Sequence, residues 1–212
     1  MTTLITGANR GIGRALFEHY RASGETVIGT SRSASQGLIR LDVTDAAGQQ
    51  ALGQSVETLD LLICNAGVYP DRGQRLDDGY APALWAEGFA TNVTGVFLSV
   101  QALLPALARA GGKIAIISSQ MASDTLAPGG SYIYRASKAA ALNLGRNLAS
   151  DLKGRGIAVG IYHPGWAQTD MGGAGADITE AQSALGLAAR FAALSLATTG
   201  CFETWDGRAH PF

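Results

Sequence analysis

Two short runs of the sequence are apolar at nearly every position, and they constrain the fold more than any other feature. They read LDLLIC at residues 59–64 and KIAIIS at residues 113–118. Strands of this composition are buried on both faces of a sheet, as in parallel sheets covered by helices on both sides. The two runs therefore predict an α/β protein.

Strand-like and helical segments alternate along the whole chain. The predicted strands are Thr3–Thr6, Thr26–Thr30, Leu38–Leu41, Leu59–Cys64, Lys113–Ser118, Ile157–Tyr162 and Cys201–Glu203. The predicted helices are Ile12–Ser23, Ala46–Val56, Pro82–Ala110, Tyr132–Leu152 and Thr179–Thr198. Such alternation implies parallel pairing through right-handed crossovers. We therefore expect residues 1–212 to form a single Rossmann-type domain, a doubly wound parallel sheet with helices on both faces.

Composition and charge exclude several classes of protein. A net charge of −1 without a basic block argues against a nucleic-acid partner. No run reaches the roughly 18 apolar residues of a membrane span, and no basic segment precedes an apolar run near Met1, so neither a span nor a secretory signal is expected. The two cysteines, Cys64 and Cys201, are too few for a disulfide framework and lack metal-ligand spacing. The expected location is the cytoplasm, and no metal site is predicted.

A glycine-rich turn, TGANRGIG at Thr6–Gly13, lies between the first predicted strand and the first predicted helix. Gly7 permits a tight turn, Gly11 lets the main chain approach a pyrophosphate, and Gly13 allows close contact of helix and strand. The free N–H groups of a helix N-terminus bind anions. The turn predicts a dinucleotide site, although a purely structural turn can have the same glycine pattern.

The end of the second predicted strand distinguishes between the two nicotinamide cofactors. A carboxylate there binds the ribose hydroxyl of NAD, whereas an arginine accommodates the additional phosphate of NADP. This chain has Ser31 and Arg32 at that point and no carboxylate, and Arg10 lies inside the glycine turn. Because a guanidinium matches phosphate geometry, we expect NADP(H), with NAD(H) as the alternative.

Tyr134 and Lys138 stand at positions i and i+4 of a predicted helix and therefore share one of its faces. An ammonium beside a phenol can lower the phenol's pKa from its ordinary value of about 10. The pair then supplies a proton donor that works near neutral pH. Together with the glycine turn and the upstream Ser118-Ser119, it indicates redox chemistry on a carbonyl group.

The order and spacing of these motifs resemble the short-chain dehydrogenase/reductase family over essentially the whole chain. The matching motifs are TGANRGIG (6–13), LDVTD (41–45), CNAG (64–67), TNVTG (91–95), SS (118–119), YRASK (134–138) and HPGWAQTDM (163–171). The last two motifs and the final residues GCFETWDGRAHPF are similar to the branch of C-factor-like carbonyl reductases, which includes the insect reductase sniffer.

The resemblance implies four catalytic residues. Tyr134 would protonate the nascent alkoxide, and Lys138 would lower the pKa of Tyr134 and contact the nicotinamide ribose. Ser119 would hold the substrate carbonyl oxygen, and Asn92 would fix a water that relays protons to Lys138. The interval between Ser119 and Tyr134 is longer than in most members, so Ser118 and Ser123 remain alternatives to Ser119. Asn92 acting only as a cap or kink of its helix also remains open.

The resemblance also implies a set of cofactor-binding residues. They are Gly7, Asn9, Arg10, Gly11, Ile12, Gly13, Ser31, Arg32, Asp42, Val43, Asn65, Ala66, Gly67, Tyr134, Lys138, Pro164, Gly165 and Thr169.

The function that these residues imply is NADPH-dependent reduction of a small-molecule carbonyl compound, namely an aldehyde, ketone or quinone, to an alcohol. One alternative is a non-catalytic dinucleotide-binding signalling protein of the C-factor type. Another is a nucleotide-sugar epimerase or dehydratase, a class that carries a larger C-terminal substrate region. The helices predicted at Pro82–Ala110 and Tyr132–Leu152 are apolar around much of their girth, which predicts a homodimer or a homotetramer.

Overall fold

The computed structural model describes residues 1–33 and 37–212, and within them seven parallel strands form one sheet in the order β3-β2-β1-β4-β5-β6-β7. The strands are β1 (Thr2–Ile5), β2 (Thr26–Ser31), β3 (Ile39–Arg40), β4 (Leu61–Cys64), β5 (Lys113–Ile117), β6 (Ala158–His163) and β7 (Phe202–Thr204). The α-helices are α1 (Gly11–Ala22), α2 (Ala46–Ser55), α3 (Pro82–Phe89), α4 (Gly95–Ala110), α5 (Tyr132–Lys153) and α6 (Glu180–Ala193). The predicted fold class, a Rossmann-type doubly wound parallel sheet, is confirmed.

The strand order reverses between β1 and β4, which are neighbours in the sheet although two strands and two helices separate them in the chain. From β1 the chain moves outward to β2 and β3, and from β4 it moves the other way to β7. At such a switch point the loops leaving the two strands diverge, and a crevice opens at the carboxyl ends of the strands. The topology thus fixes where a ligand cleft lies.

The sheet is covered by a separate hydrophobic core on each face. Successive residues of one strand point to opposite faces, so Leu62 belongs to one core and Ile63 to the other. Helices α2, α4 and α5 cover the first face, whereas α1 and α6 cover the second. Burial on both faces explains why the central strands are apolar at nearly every position.

The helix predicted over Pro82–Ala110 is the main departure from the expected elements. It comprises α3, a π-helical turn at Ala90–Thr94, and α4. The last helix also ends earlier than predicted, at Ala193, because Leu194 is extended and Thr198 instead closes a turn with Ser195. The other predicted helices end within two residues of the observed bounds.

The stretch Pro82–Ala110 is long and apolar enough to cross a membrane by length and composition alone. In the fold, however, α4 buries Val100, Leu103 and Leu107 completely or almost completely against the sheet. One face of α4 is therefore part of the hydrophobic core. Phe97 remains largely exposed on the same helix; the expected homodimer or homotetramer stays a prediction.

Close contact between α2 and α4 depends on a glycine. A Cβ atom at Gly53 would lie 2.2 Å from the main-chain oxygen of Ala102. Because that contact is with backbone, Gly53→Ala must separate the two helices, and we expect a loss of about 1–3 kcal/mol in the free energy of unfolding. Urea denaturation measures this loss. Gly154→Ala is the control, since no atom lies within 4 Å of its Cβ position, and it should leave stability unchanged or raise it by about 0.4–1 kcal/mol. Equal stability of Gly53→Ala and wild type would contradict the α2–α4 packing.

Candidate functional site

A cleft of about 420 Å³ opens where the loops after β1 and β4 diverge. It brings together sequence-predicted residues from all parts of the chain. Those that line it are Gly7, Asn9, Arg10, Gly11, Ile12, Gly13, Ser31, Arg32, Val43, Asn65, Ala66, Gly67, Tyr134, Lys138, Pro164 and Thr169. Ser118 also contributes to the wall, as do Thr91 and Asp170, which sequence reasoning did not select.

The glycine turn has the geometry that its sequence predicts. Gly7 and Gly11 have φ angles of 68° and 58°, in the left-handed region that favours glycine. A Cβ atom at Gly13 would lie 2.2 Å from the Gly7 oxygen, so only glycine allows α1 to start this close to β1. The side chain of Arg10, the N-cap residue, makes no capping hydrogen bond. The N-terminus of α1 therefore presents its N–H groups toward the cleft as an anion site.

Hydrogen bonds tie the glycine turn to the segment after β4. Asn65 Nδ2 donates to the carbonyl oxygens of Thr6, at 3.1 Å, and Gly7, at 3.0 Å. In return, Thr6 Oγ1 accepts hydrogen bonds from the main-chain N–H groups of Asn65 and Ala66, both at 3.1 Å. The two walls of the cleft are thus held at a fixed separation.

Both arginines that were expected to bind a 2′-phosphate lie in the wall of the cleft. Arg32 follows β2 directly, at the end of the strand that flanks β1. Arg10 Nη1 lies 2.8 Å from Asp170 Oδ2, and both of these side chains are exposed. Each arginine also has a carboxylate nearby: Asp170 pairs with Arg10, and the charge of Arg32 adds to the effect of the Thr44 N–H in lowering the pKa of Asp42.

Tyr134 and Lys138 are both buried at the opposite end of the cleft. Burial raises the pKa of the Tyr134 phenol to about 12, while a side-chain hydrogen bond with Ser119 acts in the opposite direction. Burial lowers the pKa of Lys138 to about 8. The ammonium lies 5.6 Å from the centroid of the Tyr134 ring and donates to the Ile117 carbonyl oxygen at 2.9 Å. The pKa of the phenol is therefore above its ordinary value and not, as the sequence predicted, below it, because desolvation is the largest effect on this group.

The structure distinguishes the three candidate serines. Ser118 donates its hydroxyl to the Lys138 carbonyl oxygen at 3.0 Å, a bond that joins β5 to α5. Ser119 accepts a hydrogen bond from the Met121 N–H at 3.1 Å and lies close enough to Tyr134 to lower the pKa of its phenol, against the larger effect of burial. Ser123 donates to a main-chain oxygen of Phe212 at 3.1 Å. Ser119 is thus the serine placed beside the Tyr134 phenol, although it is not itself part of the cleft lining.

Asn92 lies in the π-helical turn between α3 and α4 and is almost completely buried. Its Oδ1 accepts from the Val68 N–H, and its Nδ2 donates to the Val68 carbonyl oxygen and to Ser137 Oγ, each at 2.9 Å. A Cβ atom at Gly67 would lie 3.3 Å from Asn92 Oδ1 and 3.4 Å from Lys138 Nζ. The amide therefore stands in a bend of the helix and faces the same small space as the lysine.

Two further predicted positions lie outside the cleft lining. Asp42 is exposed, and its carboxylate accepts from the N–H and hydroxyl of Thr44 at 2.9 and 2.8 Å. The Thr44 N–H also holds the pKa of Asp42 below its ordinary value. Gly165 has a φ of 82°, and its Cβ position would lie only 2.8 Å from the Trp205 ring. Its conformation and packing give Gly165 a structural reason to be glycine.

Sequence reasoning also missed the loop that follows Gly67. Tyr69 stacks on the Tyr134 ring with a centroid separation of 4.3 Å and an interplanar angle of 20°. Asp71 accepts hydrogen bonds from the first turn of α5. The segment VYPDRG has the composition of an ordinary turn, and the sequence holds no periodic signal that would link it to a helix so far along the chain.

Solved structures with this fold include two carbonyl reductases. The NADPH-bound carbonyl reductase from chicken fatty liver matches with a TM-score of 0.89 and 31% identity, covering 100% of this chain and 98% of that chain. Carbonyl reductase Sniffer of D. melanogaster matches with a TM-score of 0.94, covering 100% and 99% of the two chains. Its identity of 24% makes it a likeness of fold.

Comparison with curated proteins and family models agrees with the motifs. The chain is 33% identical to the 3-oxoacyl-[acyl-carrier-protein] reductase FabG of Escherichia coli (strain K12), over 79% of this chain and 74% of that protein. It is 35% identical to C-signal of Myxococcus xanthus, over 73% of this chain and 93% of that protein. The model of the short chain dehydrogenase family matches residues 1–177. The chain therefore belongs to the short-chain dehydrogenase family of oxidoreductases.

Proposed function

We propose that this protein is an NADPH-dependent carbonyl reductase in which Tyr134 donates the proton. The observation that carries the proposal is the arrangement of the cleft. Tyr134 and Lys138 line one end of the cleft, with Ser119 beside the phenol, and the glycine turn and Arg32 line the other end. The similarity to the NADPH-bound chicken carbonyl reductase supports both the cofactor and the substrate class.

The chain's own residues fit a dinucleotide phosphate. Gly13 has no side chain, and no side chain caps the N-terminus of α1. Main-chain N–H groups are therefore available to bind the pyrophosphate. Arg32, with Arg10 beside it, supplies positive charge for a 2′-phosphate. A bound nicotinamide supplies the hydride, which is chemistry that no side chain can provide.

The raised pKa of Tyr134 keeps the phenol in the protonated form that carbonyl reduction requires. With a pKa of about 12 the phenol keeps its proton throughout the neutral range, so it can protonate an alkoxide that develops beside it. Oxidation of an alcohol would need the phenolate, which burial disfavours. Ser119 adds a second hydroxyl at the same point, where it can hold the carbonyl oxygen of the substrate.

Lys138 and Asn92 have supporting roles in this proposal. Below pH 8 the Lys138 ammonium is charged and can bind the nicotinamide ribose. Asn92 Oδ1 and Lys138 Nζ face each other across Gly67, so a bridging water would connect them as a proton relay. Asn92 also fixes the bend of its helix through Val68, so the relay and the structural role are compatible.

A second candidate is a non-catalytic signalling protein, which the similarity to C-signal of Myxococcus xanthus favours. A protein that only binds a dinucleotide does not need a tyrosine and a lysine buried together at the end of the cleft. Both residues are retained and buried in this chain. Substrate-dependent oxidation of NADPH across a panel of aldehydes, ketones and quinones would decide in favour of the enzyme.

The first prediction for the reaction concerns the Tyr134 hydroxyl. Tyr134→Phe removes only the oxygen, so the fold and NADPH affinity should be retained while kcat for carbonyl reduction falls by about 10²–10⁴-fold. Stopped-flow or steady-state NADPH absorbance measures kcat, and fluorescence titration measures the cofactor affinity. Tyr80→Phe, which changes a half-buried loop tyrosine outside the cleft lining in the same way, is the control. A folded Tyr134→Phe variant with wild-type kcat would exclude Tyr134 as the proton donor.

The second prediction concerns the choice of cofactor. Charge-assisted hydrogen bonds contribute roughly 1.5–3 kcal/mol each, so Arg10→Ala with Arg32→Ala should remove most of the preference for NADPH over NADH. Arg10→Ala and Arg32→Ala alone should each remove part of this preference, because each arginine lies in the wall of the cleft. Arg14→Ala is the matched control, since Arg14 is exposed and pairs with Glu18 on α1. Calorimetric titration with both cofactors measures the ratio, and an unchanged ratio in the double variant would refute the assignment.

The third prediction is a pH dependence of cofactor binding. Burial lowers the pKa of Lys138 to about 8, so above this pH the side chain is neutral and donates to the ribose less strongly. NADPH affinity should therefore weaken as the pH rises from 7 toward 10. In Lys138→Met the affinity should be lower at pH 7 and should change little over the same range. Parallel pH profiles for the two proteins would show that Lys138 does not contact the cofactor as a cation.

A further inference from the structure

The residues Tyr69–Arg72, called here the 69–72 segment, lie in the loop between β4 and α3 and contact the first turn of α5. That turn contains Tyr134 at its third position. The contacts are with the main chain and ring of Tyr134, and with Ser131 and Ile133 just before it. The segment thus acts on the phenol that the proposed reaction requires.

Asp71 supplies the hydrogen-bond acceptors that the N-terminus of α5 needs. Its carboxylate accepts from the Ile133 N–H at 2.8 Å and from the Tyr134 N–H at 3.1 Å, and the residue is 1% exposed. Ser131, the N-cap residue, has a left-handed φ of 50°, and its side chain makes no capping bond. A carboxylate from 62 positions earlier in the chain therefore replaces the local cap. It fixes the main chain of Tyr134 itself.

Tyr69 holds the side chain of Tyr134 by ring stacking. The two rings stack with centroids 4.3 Å apart and 20° between their planes. The Tyr69 hydroxyl hydrogen-bonds Ser131 Oγ, and the guanidinium of Arg72 lies 5.1 Å from the centroid of the Tyr69 ring. Tyr69 is thus fixed from two sides, and its ring covers one face of the Tyr134 ring.

The other end of the loop is fixed by Asn92. Its amide pairs with both main-chain groups of Val68, the residue before Tyr69, and donates a further bond to Ser137 on α5. The 69–72 segment therefore cannot move relative to α5 without breaking bonds at both ends. We propose that Tyr69 and Asp71 are positioning residues, which hold the ring and the main chain of Tyr134 so that its hydroxyl points at the reacting oxygen. This inference rests on the proposed function of Tyr134 as proton donor.

The test compares kcat with cofactor affinity. A displacement of about 1 Å in a catalytic group costs up to about a hundredfold in rate, so Asp71→Asn and Tyr69→Leu should each lower kcat by roughly tenfold or more. NADPH affinity should change by less than about twofold, because neither residue lines the cleft. Tyr69→Phe keeps the stacked ring and should restore most of the rate. Asp77→Asn, an exposed aspartate in the same loop, is the control for Asp71→Asn.

A titration of Tyr134 separates positioning from a general loss of stability. Removing the Tyr69 ring exposes the Tyr134 phenol, so its pKa should fall from about 12 toward the ordinary value of about 10 in Tyr69→Leu. In Tyr69→Phe the pKa should fall less, because the ring stays and only the smaller effect of the Tyr69 hydroxyl is lost. The ionisable side chains that face Tyr134 are Tyr69, Arg72, Lys138 and Asp71, whose carboxylate accepts from the Tyr134 N–H. Arg72, Lys138 and Asp71 are all retained in the two Tyr69 variants. Phenolate absorbance, measured as the difference from the same protein with Tyr134→Phe, reports this pKa whether or not the protein is active.

The outcomes are distinct. Lower kcat with unchanged NADPH affinity, together with an earlier phenolate transition in Tyr69→Leu, supports the positioning role. Wild-type kcat in folded Asp71→Asn and Tyr69→Leu overturns it, as does a phenolate transition that does not move. If none of the carbonyl compounds tested causes the wild-type protein to oxidise NADPH, the proposed function fails. The phenolate titration still decides whether Tyr69 covers and fixes Tyr134. Tyr69→Leu and Tyr69→Phe keep the test valid if Asp71→Asn does not fold.

Discussion

The exchange of hydrogen bonds between Thr6 and Asn65 is the interaction on which the rest of the structure depends. It joins the carboxyl ends of two adjacent strands at the point where their loops turn in opposite directions. One loop continues as the glycine turn, and the other leads through Val68 to the 69–72 segment and α5. A dinucleotide end and a proton-donor end, formed from distant parts of the sequence, are therefore parts of one rigid assembly.

Burial has opposite consequences for the two ionisable groups at the proton-donor end. A low-polarity surrounding disfavours the charged form of each group, so the phenol of Tyr134 holds its proton more strongly and Lys138 holds its proton less strongly. The same desolvation thus keeps the tyrosine protonated and makes the charge of the lysine sensitive to mildly alkaline pH. The Lys138 ammonium keeps one hydrogen bond in this surrounding, to the Ile117 carbonyl oxygen.

The fold was predictable from the sequence because hydrophobic periodicity records burial directly, and strands such as Leu61–Cys64 are buried at every position. The glycine turn was predictable for a similar reason, since the left-handed conformation of Gly7 is a local requirement. The capping of α5 by Asp71 was not, because it joins residues 62 positions apart and leaves no pattern in either segment. The raised pKa of Tyr134 was also missed, because the spacing to Lys138 is visible in the sequence whereas the depth of burial depends on the whole fold.

The π-helical turn at Ala90–Thr94 allows α3 to pack against α5 while α4, in the same stretch of helix, packs against the sheet. Successive side chains of an α-helix are rotated by about 100° around its axis. The wider π-helical turn therefore changes the direction in which the side chains of α3 point relative to those of α4. As a result, α4 points its apolar stripe at the sheet while α3 places Gly88 against Ile133 at the start of α5. Deleting one residue from the turn would restore a regular helix but rotate α3 out of phase with α5. The number of residues in this turn, and not only their identity, is therefore under constraint.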